Sequence, residues 1–238
     1  MTCISCGKEH EEAYCPYCGE KGEVKKITFA SMVQHTISLF IDMDRGFLYN
    51  FKSLFIAPKL LAEDYIKGRR KDILNPVSFL VFSVGLYLLI EEFLRVPLSP
   101  DEIIKRPQEG IYRISYELGI FIRIHLKYFW ILSILPLGLS LRMIYKRYNF
   151  AEHVTISSLI IGQATLISII SHLIFRNILI FDPILYFFIV WMIYNIYKDD
   201  GPKTESLVLS FLSFCIFIFL MVFIIIAMGV VRYLFTSS

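Results

Sequence analysis

Residues 207–231 contain no charged side chain, and this stretch constrains the fold of the chain more than any other feature. A helix needs about 20 mostly apolar residues to cross the hydrocarbon core of a bilayer, so this stretch is long enough to span a membrane. The composition agrees: 56% of the 238 residues are hydrophobic and 19% are charged, whereas soluble domains have about 25% charged residues. We therefore expect a membrane protein, and the composition argues against a soluble enzyme.

Four further apolar stretches predict membrane spans. The first lies at about 75–93 and begins with a long uncharged run. The second has an uncharged run of only 14 residues, 128–141, and its ends rely on flanking basic side chains that extend to the interface. The sequence thus predicts an all-α membrane protein with about five transmembrane helices in a polytopic domain over residues 73–238. The remaining spans are placed at about 128–145, 154–175, 178–197 and 207–231.

Four of the five cysteines form two Cys-x2-Cys pairs near the N-terminus, and each pair is followed by glycine. Four thiolates at this spacing can surround one ion as a tetrahedron, and sulfur ligands favour zinc over an iron centre or disulfides, which are the alternatives. A closed set of four protein ligands is typical of structural zinc. The sequence predicts a small zinc ribbon over residues 1–27, in which Zn²⁺ is held by Cys3, Cys6, Cys15 and Cys18.

The charges around the predicted zinc ribbon argue against a nucleic-acid partner. Residues 1–30 contain four lysines and five glutamates, whereas a nucleic-acid-binding face is normally basic. We expect the zinc ribbon to bind a protein instead. Because zinc-bound thiolates persist best in a reducing compartment, the N-terminus is expected to lie in the cytoplasm.

Residues 28–72 predict amphipathic helices between the ribbon and the first span. Apolar side chains recur at helical spacing over 29–41, over 47–55 and between Pro58 and Gly68. None of these segments is long enough to cross the bilayer, so they either lie in the membrane surface or pack on the membrane domain. Four basic side chains at the end of this linker are placed to contact lipid phosphates, namely Lys67, Arg69, Arg70 and Lys71.

Basic residues near the ends of the spans indicate how the chain is oriented. Slightly more of them flank the spans on the side of the predicted zinc ribbon than on the opposite side, and the cluster over 67–71 lies directly before the first span. We therefore predict an integral inner-membrane protein with a cytoplasmic N-terminus. Five spans would place the C-terminus on the other side.

Polar side chains within or at the ends of spans are candidates for function because they are costly in lipid. Each also has a structural explanation. Asp182 and Arg176 are expected to form an ion pair, Gln163 to join two helices and Glu152 to cap a helix. The two histidines are about 28 Å apart along one helix, so they cannot share a metal site. The five candidates are Glu152, His153, Gln163, His172 and Asp182.

A resemblance to a known family is carried by spaced residues in the linker and the first span: Leu54-Phe55-x-x-Pro58-x-x-Leu61-x-x-x-Tyr65-Ile66-x-Gly68-x-Arg70, then Asn75-Pro76-x-x-Phe79-Leu80. This pattern resembles bacterial zinc-ribbon membrane proteins of the domain-of-unknown-function family 3667. The Cys-x2-Cys-Gly pairs and the step Ala151-Glu152-His153 are similar to that group too. The resemblance implies a cytoplasmic ribbon, a linker of amphipathic helices and a polytopic domain. It implies no activity and no catalytic residues.

These features favour a non-enzymatic scaffold or regulator in the membrane, whose cytoplasmic zinc ribbon binds a protein partner. The alternative is a small transporter or channel that uses the polar residues of the third and fourth spans. An intramembrane enzyme ranks third, because no acid, base and nucleophile converge by spacing and no known catalytic motif occurs.

Overall fold

The computed structural model describes most of the chain from residue 45 onwards and a few positions before it. The described residues are 2, 6–9, 11, 15–17, 45–69, 72–94, 128–176, 179–198 and 202–236, with side chains described up to residue 228. The chain divides into two compact units, Met1–Asp44 and Arg45–Ser238, and each is considered by itself. The helix predicted over 29–41 lies outside the described residues.

The second unit is built from helices. We name them α1 (45–56), α2 (Pro58–Ile66), α3 (Pro76–Leu94), α4 (Tyr128–Ile144), α5 (Phe150–Phe175), α6 (Pro183–Tyr197) and α7 (Lys203–Thr236). A single 3-10 turn, Leu179–Phe181, precedes α6. No strand occurs within the described ranges, so the prediction of an all-α fold is confirmed there.

Local sequence signals set several of the helix ends. Pro58 opens α2 as predicted, because proline lacks the N–H that the first turn of a helix does not use. Gly68 follows α2 with a φ of 95°, a left-handed conformation that glycine adopts without a steric penalty. α6 begins in the same way at Pro183, with Asp182 as its N-cap. The predicted fourth span therefore starts later than residue 178.

Three helices are long and apolar enough to cross a membrane by length and composition: α3, α5 and the segment Lys203–Met228 of α7. They correspond to the predicted first, third and fifth spans. α4 and α6 are apolar but shorter, with 15 residues in α6. The structure thus supports a membrane protein and confirms long apolar helices for three of the five predicted spans.

Contacts between the helices fix their relative directions. Tyr87 near the end of α3 lies against His172 near the end of α5, so these two helices run the same way. α4 runs opposite to α5, because Trp130 at its start donates a hydrogen bond to Thr165 late in α5. α6 is also opposite to α5, since Asp182 at its start accepts a hydrogen bond from Ser168. The turns after α4 and α6 therefore lie at one end of the bundle.

α5 occupies the centre of the bundle and α7 its periphery. In the most apolar window of each helix, 67% of the residues of α5 are buried against 11% for α7. The buried polar side chains of α5 are satisfied locally or by neighbours; for example, the Ser157 hydroxyl donates to the carbonyl of His153. The outer face of α7 is apolar, and Phe219 is 69% exposed. Such a surface is typical of a helix that contacts lipid.

α1 lies across the bundle and contacts three other helices. The Phe47 ring packs against Phe79 and Phe82 of α3, with centroid distances of 5.2 and 4.7 Å. Gln163 of α5 donates a hydrogen bond to the carbonyl of Phe51 at 3.1 Å, and Phe55 contacts the ring of Phe188 in α6. The inner face of α1 therefore packs on the membrane domain, which is one of the two placements that the sequence left open.

Candidate functional site

Cys6 and Cys15, one from each Cys-x2-Cys pair, lie side by side in the first unit. Their Sγ atoms are 3.6 Å apart, and neither cysteine forms a disulfide. Four sulfurs placed tetrahedrally around zinc at about 2.3 Å would be about 3.8 Å from one another, whereas a disulfide needs about 2.05 Å. The separation therefore fits two ligands of one tetrahedral ion. Cys3 and Cys18 lie outside the described residues. Within the described residues, no three or more histidine, cysteine, aspartate or glutamate side chains are grouped so that they could hold a metal ion.

Two further contacts order the same region. Gly7, directly after Cys6, has a φ of 73°, the left-handed conformation expected of the residue that follows a metal-binding turn. The Lys8 ammonium lies 3.9 Å from the centroid of the Tyr17 ring, within range of a cation–π contact. Because Lys8 follows the first pair and Tyr17 belongs to the second, this contact joins the two turns.

Basic residues from three parts of the chain lie at the end of the bundle that holds the turns after α4 and α6. Glu63 of α2 accepts hydrogen bonds from Lys67 at 2.8 Å and Arg147 at 3.0 Å. Lys59 donates to the carbonyl of Lys198 at 2.8 Å. We call this the basic end, defined by Lys59, Lys67, Arg147 and Lys198. Lys67 belongs to the basic cluster over 67–71 that the sequence predicts to lie on the cytoplasmic side.

Two of the four predicted lipid-phosphate contacts already have carboxylate partners. Lys67 is paired with Glu63, and Arg69 is paired with Asp64 at 3.2 Å. The side chains of Lys67 and Arg69 nevertheless remain 70% and 73% exposed. The hydrogen bond from Lys67 lowers the pKa of Glu63, with a further contribution from the charge of Arg147, and Glu63 in turn raises the pKa of Lys67. Arg70 and Lys71 lie outside the described residues.

We expect Glu63→Gln to weaken the link between α2 and the turn after α4, and to do so only where the carboxylate is charged. A lowered pKa means that the pair is fully stabilising above the usual value of 4.5 and is lost as the pH falls through the lowered value. Solvent screening limits the effect at pH 7 to about 1 kcal/mol or less. Thermal unfolding at pH 7 and pH 3 tests this, with Asp64→Asn as the matched control. Equal losses at both pH values would contradict it.

His153 lies within a cluster of three tyrosines at the same end of the bundle. The rings of Tyr145 and Tyr197 stack with centroids 4.2 Å apart, and His153 stacks on Tyr197 at 5.7 Å. Tyr148 packs edge-on against both His153 and Tyr197. We call these four residues the tyrosine–histidine cluster. It joins the end of α4, the following turn, the start of α5 and the end of α6.

The hydrogen bonds of the cluster determine the protonation of its histidine. Nε2 of His153 lies 3.0 Å from the carbonyl oxygen of Tyr145, and Nδ1 lies 2.7 Å from the Tyr197 hydroxyl. A carbonyl oxygen can only accept, so Nε2 carries the proton and Nδ1 accepts from Tyr197 in the neutral ring. Both ring nitrogens are therefore occupied inside the protein. His153 thereby links α5 to α6 and to the end of α4 by hydrogen bonds, and neither of its ring nitrogens is left to bind a metal or a substrate.

The Tyr145 hydroxyl extends the cluster to α7. It lies 3.2 Å from Oγ of Ser210, which itself donates to the carbonyl of Ser206 at 2.7 Å. Because the serine proton is used in that bond, Tyr145 is the donor to Ser210. Four helices thus share one continuous polar network at the basic end.

Glu152 caps α5. The Asn149 side chain accepts from the backbone N–H of Glu152 at 2.9 Å, and the Glu152 carboxylate accepts from the N–H of Asn149 at 2.7 Å. This reciprocal pair is a capping box, which satisfies two N–H groups that a helix start leaves free. The role of Glu152 here is structural.

Asp182 is fully buried at the opposite end of the bundle. Its carboxylate accepts hydrogen bonds from Ser168 at 2.6 Å, from Ser171 at 3.0 Å and from the backbone N–H of Ile184 at 3.0 Å. The expected ion pair with Arg176 is wrong: among the described residues the two form no ion pair, and Arg176 is exposed at the left-handed end of α5. The serines of α5 face Asp182 because they lie three residues apart on one side of the helix.

The five predicted polar residues do not form one site. Glu152 and His153 lie at the start of α5, Gln163 lies in its middle, and His172 and Asp182 lie at the opposite end. Gln163 donates to α1, while its side-chain oxygen is buried without a hydrogen-bond partner. The His172 ring packs against Tyr87. Each residue therefore serves its own part of the bundle.

The tyrosines and the serine that surround His153 were not among the residues predicted from the sequence. Their positions carry a weak signal, because tyrosine is enriched where helices leave the hydrocarbon core. Tyr145 and Tyr197 stand at the ends of predicted spans, and Tyr148 follows shortly after. Their contact with one another depends on how α4, α5 and α6 pack.

The fold and these sites define a helical protein of the membrane type with a short cysteine-containing unit before it. The family model described as "Protein of unknown function (DUF3667)" matches residues 44–88. The matched segment comprises α1, α2 and most of α3, and the match supports the family resemblance read from the sequence. No curated protein and no solved structure matches the chain.

Proposed function

We propose that this chain is a non-enzymatic membrane scaffold or regulator whose zinc ribbon lies in the cytoplasm and binds a protein partner. The observation that carries the proposal is the 3.6 Å separation of the Cys6 and Cys15 sulfurs. It brings together one member of each cysteine pair, as a shared tetrahedral ion requires. Cys3 and Cys18 would complete the ligand set, and zinc would supply the stability that a segment this short cannot obtain from an apolar core.

The proposal includes five membrane crossings in a bacterial inner membrane. The basic end of the bundle would lie on the cytoplasmic side. α4 and α6 pack along α5 and run antiparallel to it. This arrangement supports the proposal that all three helices cross the membrane. With 15 residues, α6 is about 22 Å long and shorter than a typical hydrocarbon core of about 30 Å. Local thinning of the bilayer and snorkelling of Lys198 would accommodate the difference.

Deleting residues 1–28 is expected to abolish binding of the protein partner without preventing membrane insertion, because every apolar helix that the structure describes lies after residue 44. Proteins crosslinked to the full chain in cells are compared with those crosslinked to the deletion variant and to Cys6→Ser/Cys15→Ser. Resistance to carbonate extraction reports insertion. A partner lost from both variants is the expected result; a partner profile that both variants leave unchanged would contradict it.

The transporter or channel alternative relies on the polar residues of α5 and α6. His153 and Asp182 use their polar atoms in hydrogen bonds within the bundle, at opposite ends of it. These contacts favour structural roles, and so the scaffold is the function that the geometry supports best.

A further inference from the structure

The exposed face of α4 is an apolar stripe that ends in a cation. Four apolar side chains on this face recur every three or four residues, as on one side of a helix. Their exposed fractions are 58% for Leu132, 46% for Leu135, 42% for Leu139 and 58% for Met143. Arg142 is exposed on the same face, because it lies three residues after Leu139. We call these five residues the α4 stripe.

The α4 stripe has the length of one lipid leaflet. The chain advances by 11 residues from Leu132 to Met143, which is about 16 Å at the rise of an α-helix. Half of a hydrocarbon core of about 30 Å is about 15 Å. The apolar part of the stripe therefore matches the acyl chains of a single leaflet.

Arg142 lies at the depth of the headgroups at the basic end. Tyr145, three residues later, accepts a hydrogen bond from His153 near the start of α5, and Tyr197 at the end of α6 donates to the same ring. Three helices therefore end at the level of Tyr145, and Arg142 is about one turn, or about 5 Å, inside that level. An arginine side chain can extend its guanidinium group over this distance to the interface.

The cations at this end of the stripe are available to an anion. Arg142 and Lys146 are exposed, and neither forms an ion pair with a residue that the structure describes. Lys67, Arg69 and Arg147, by contrast, are paired with carboxylates of α2. No acidic residue occurs from position 118 to position 151, so the sequence around α4 supplies no compensating charge.

We propose that an anionic phospholipid of the leaflet at the basic end binds along the α4 stripe, with its phosphate at Arg142 and Lys146. Two exposed cations at headgroup depth, beside an apolar stripe of one leaflet's length, carry this assignment. It places the lipid contact away from the predicted Lys67 and Arg69. The inference rests on the membrane crossing of α4 in the proposed function and is independent of the zinc ribbon and its partner.

Site-specific photocrosslinking of the full chain tests what covers the stripe. p-Benzoylphenylalanine replaces Met143, beside Arg142, or Phe219 on α7 as the matched control, which is 69% exposed and has no basic residue within seven positions in the chain. The protein is irradiated in nanodiscs with equal parts of phosphatidylglycerol and phosphatidylcholine, and adducts are identified by mass spectrometry. Both positions are expected to capture phospholipid. Capture at Met143 should favour the anionic lipid about five-fold, and capture at Phe219 should show no preference.

Charge variants then test which cation holds the phosphate. Arg142→Gln should remove most of the preference at Met143, whereas Arg142→Lys should keep it. Lys67→Gln removes the same charge at the basic end from a side chain that is paired with Glu63, and it should change the preference by less than about two-fold. Equal capture of the two lipids, or a preference that Lys67→Gln abolishes and Arg142→Gln leaves, would overturn the assignment to Arg142.

The control position separates the failure of this inference from the failure of the proposed topology. Lipid adducts at Phe219, combined at Met143 with no adduct or with an adduct to another protein, to a second copy or to this chain's own residues, would overturn the lipid site alone. If neither position captures lipid, the proposed membrane topology fails as well.

Discussion

Replacing Cys6 or Cys15 by serine is expected to reduce the zinc content of the purified chain from about one ion to nearly none. The two sulfurs lie 3.6 Å apart, so each replacement would remove one of two adjacent ligands. Serine remains protonated at neutral pH and is a poor zinc ligand compared with thiolate. Structural zinc contributes about 10–16 kcal/mol in small zinc domains, so its loss should leave the first unit unfolded.

Elemental analysis of the detergent-purified full chain measures the zinc content, and limited proteolysis reports the order of the N-terminal segment. Cys215→Ser is the matched control, because this cysteine lies exposed on α7, far along the chain from both Cys-x2-Cys pairs. It should retain wild-type zinc. Zinc that survives in Cys6→Ser/Cys15→Ser, or its absence from the wild-type chain purified without chelators, would contradict the prediction.

Gly162→Leu is expected to cause the second large effect, a loss of stability of the bundle itself. A Cβ at residue 162 would lie 2.8 Å from Cδ1 of Phe79 and 3.2 Å from Cα of Leu80. The Phe79 ring is fully buried and Leu80 Cα belongs to the backbone of α3, so α3 and α5 would have to move apart. Overpacking of this kind costs about 3 kcal/mol at the upper end of its usual range.

For a domain of this size, that loss corresponds to a fall of about 6–12 °C in the midpoint of thermal unfolding. Circular dichroism of the protein in detergent measures the midpoint. Gly85→Leu on α3 is the matched control, because a Cβ at residue 85 meets no atom within 4 Å. Its midpoint should be unchanged or slightly higher, since leucine favours a helix more than glycine does. Equal shifts for the two variants would show that α3 and α5 do not pack as described.

The features that were predicted correctly depend on residues close together in the chain. Pro58 and Gly68 bound α2 through their own backbone preferences, and the uncharged run after residue 206 forms a helix because its composition suits lipid. The features that were missed depend on residues far apart. The Asp182 carboxylate was expected to meet Arg176, yet the hydroxyl groups of Ser168 and Ser171 reach it, because Arg176 ends α5 in a left-handed turn that leaves its side chain exposed.

The sequence alone determined that this chain has helices suited to a membrane and where several of them begin and end. These properties follow from local composition and local backbone geometry, which act within one segment of the chain at a time. Only the tertiary structure decided that α1 lies across three helices and that Tyr145, His153 and Tyr197 form one network. Such contacts depend on the relative directions and depths of helices, and no local pattern of residues encodes those quantities.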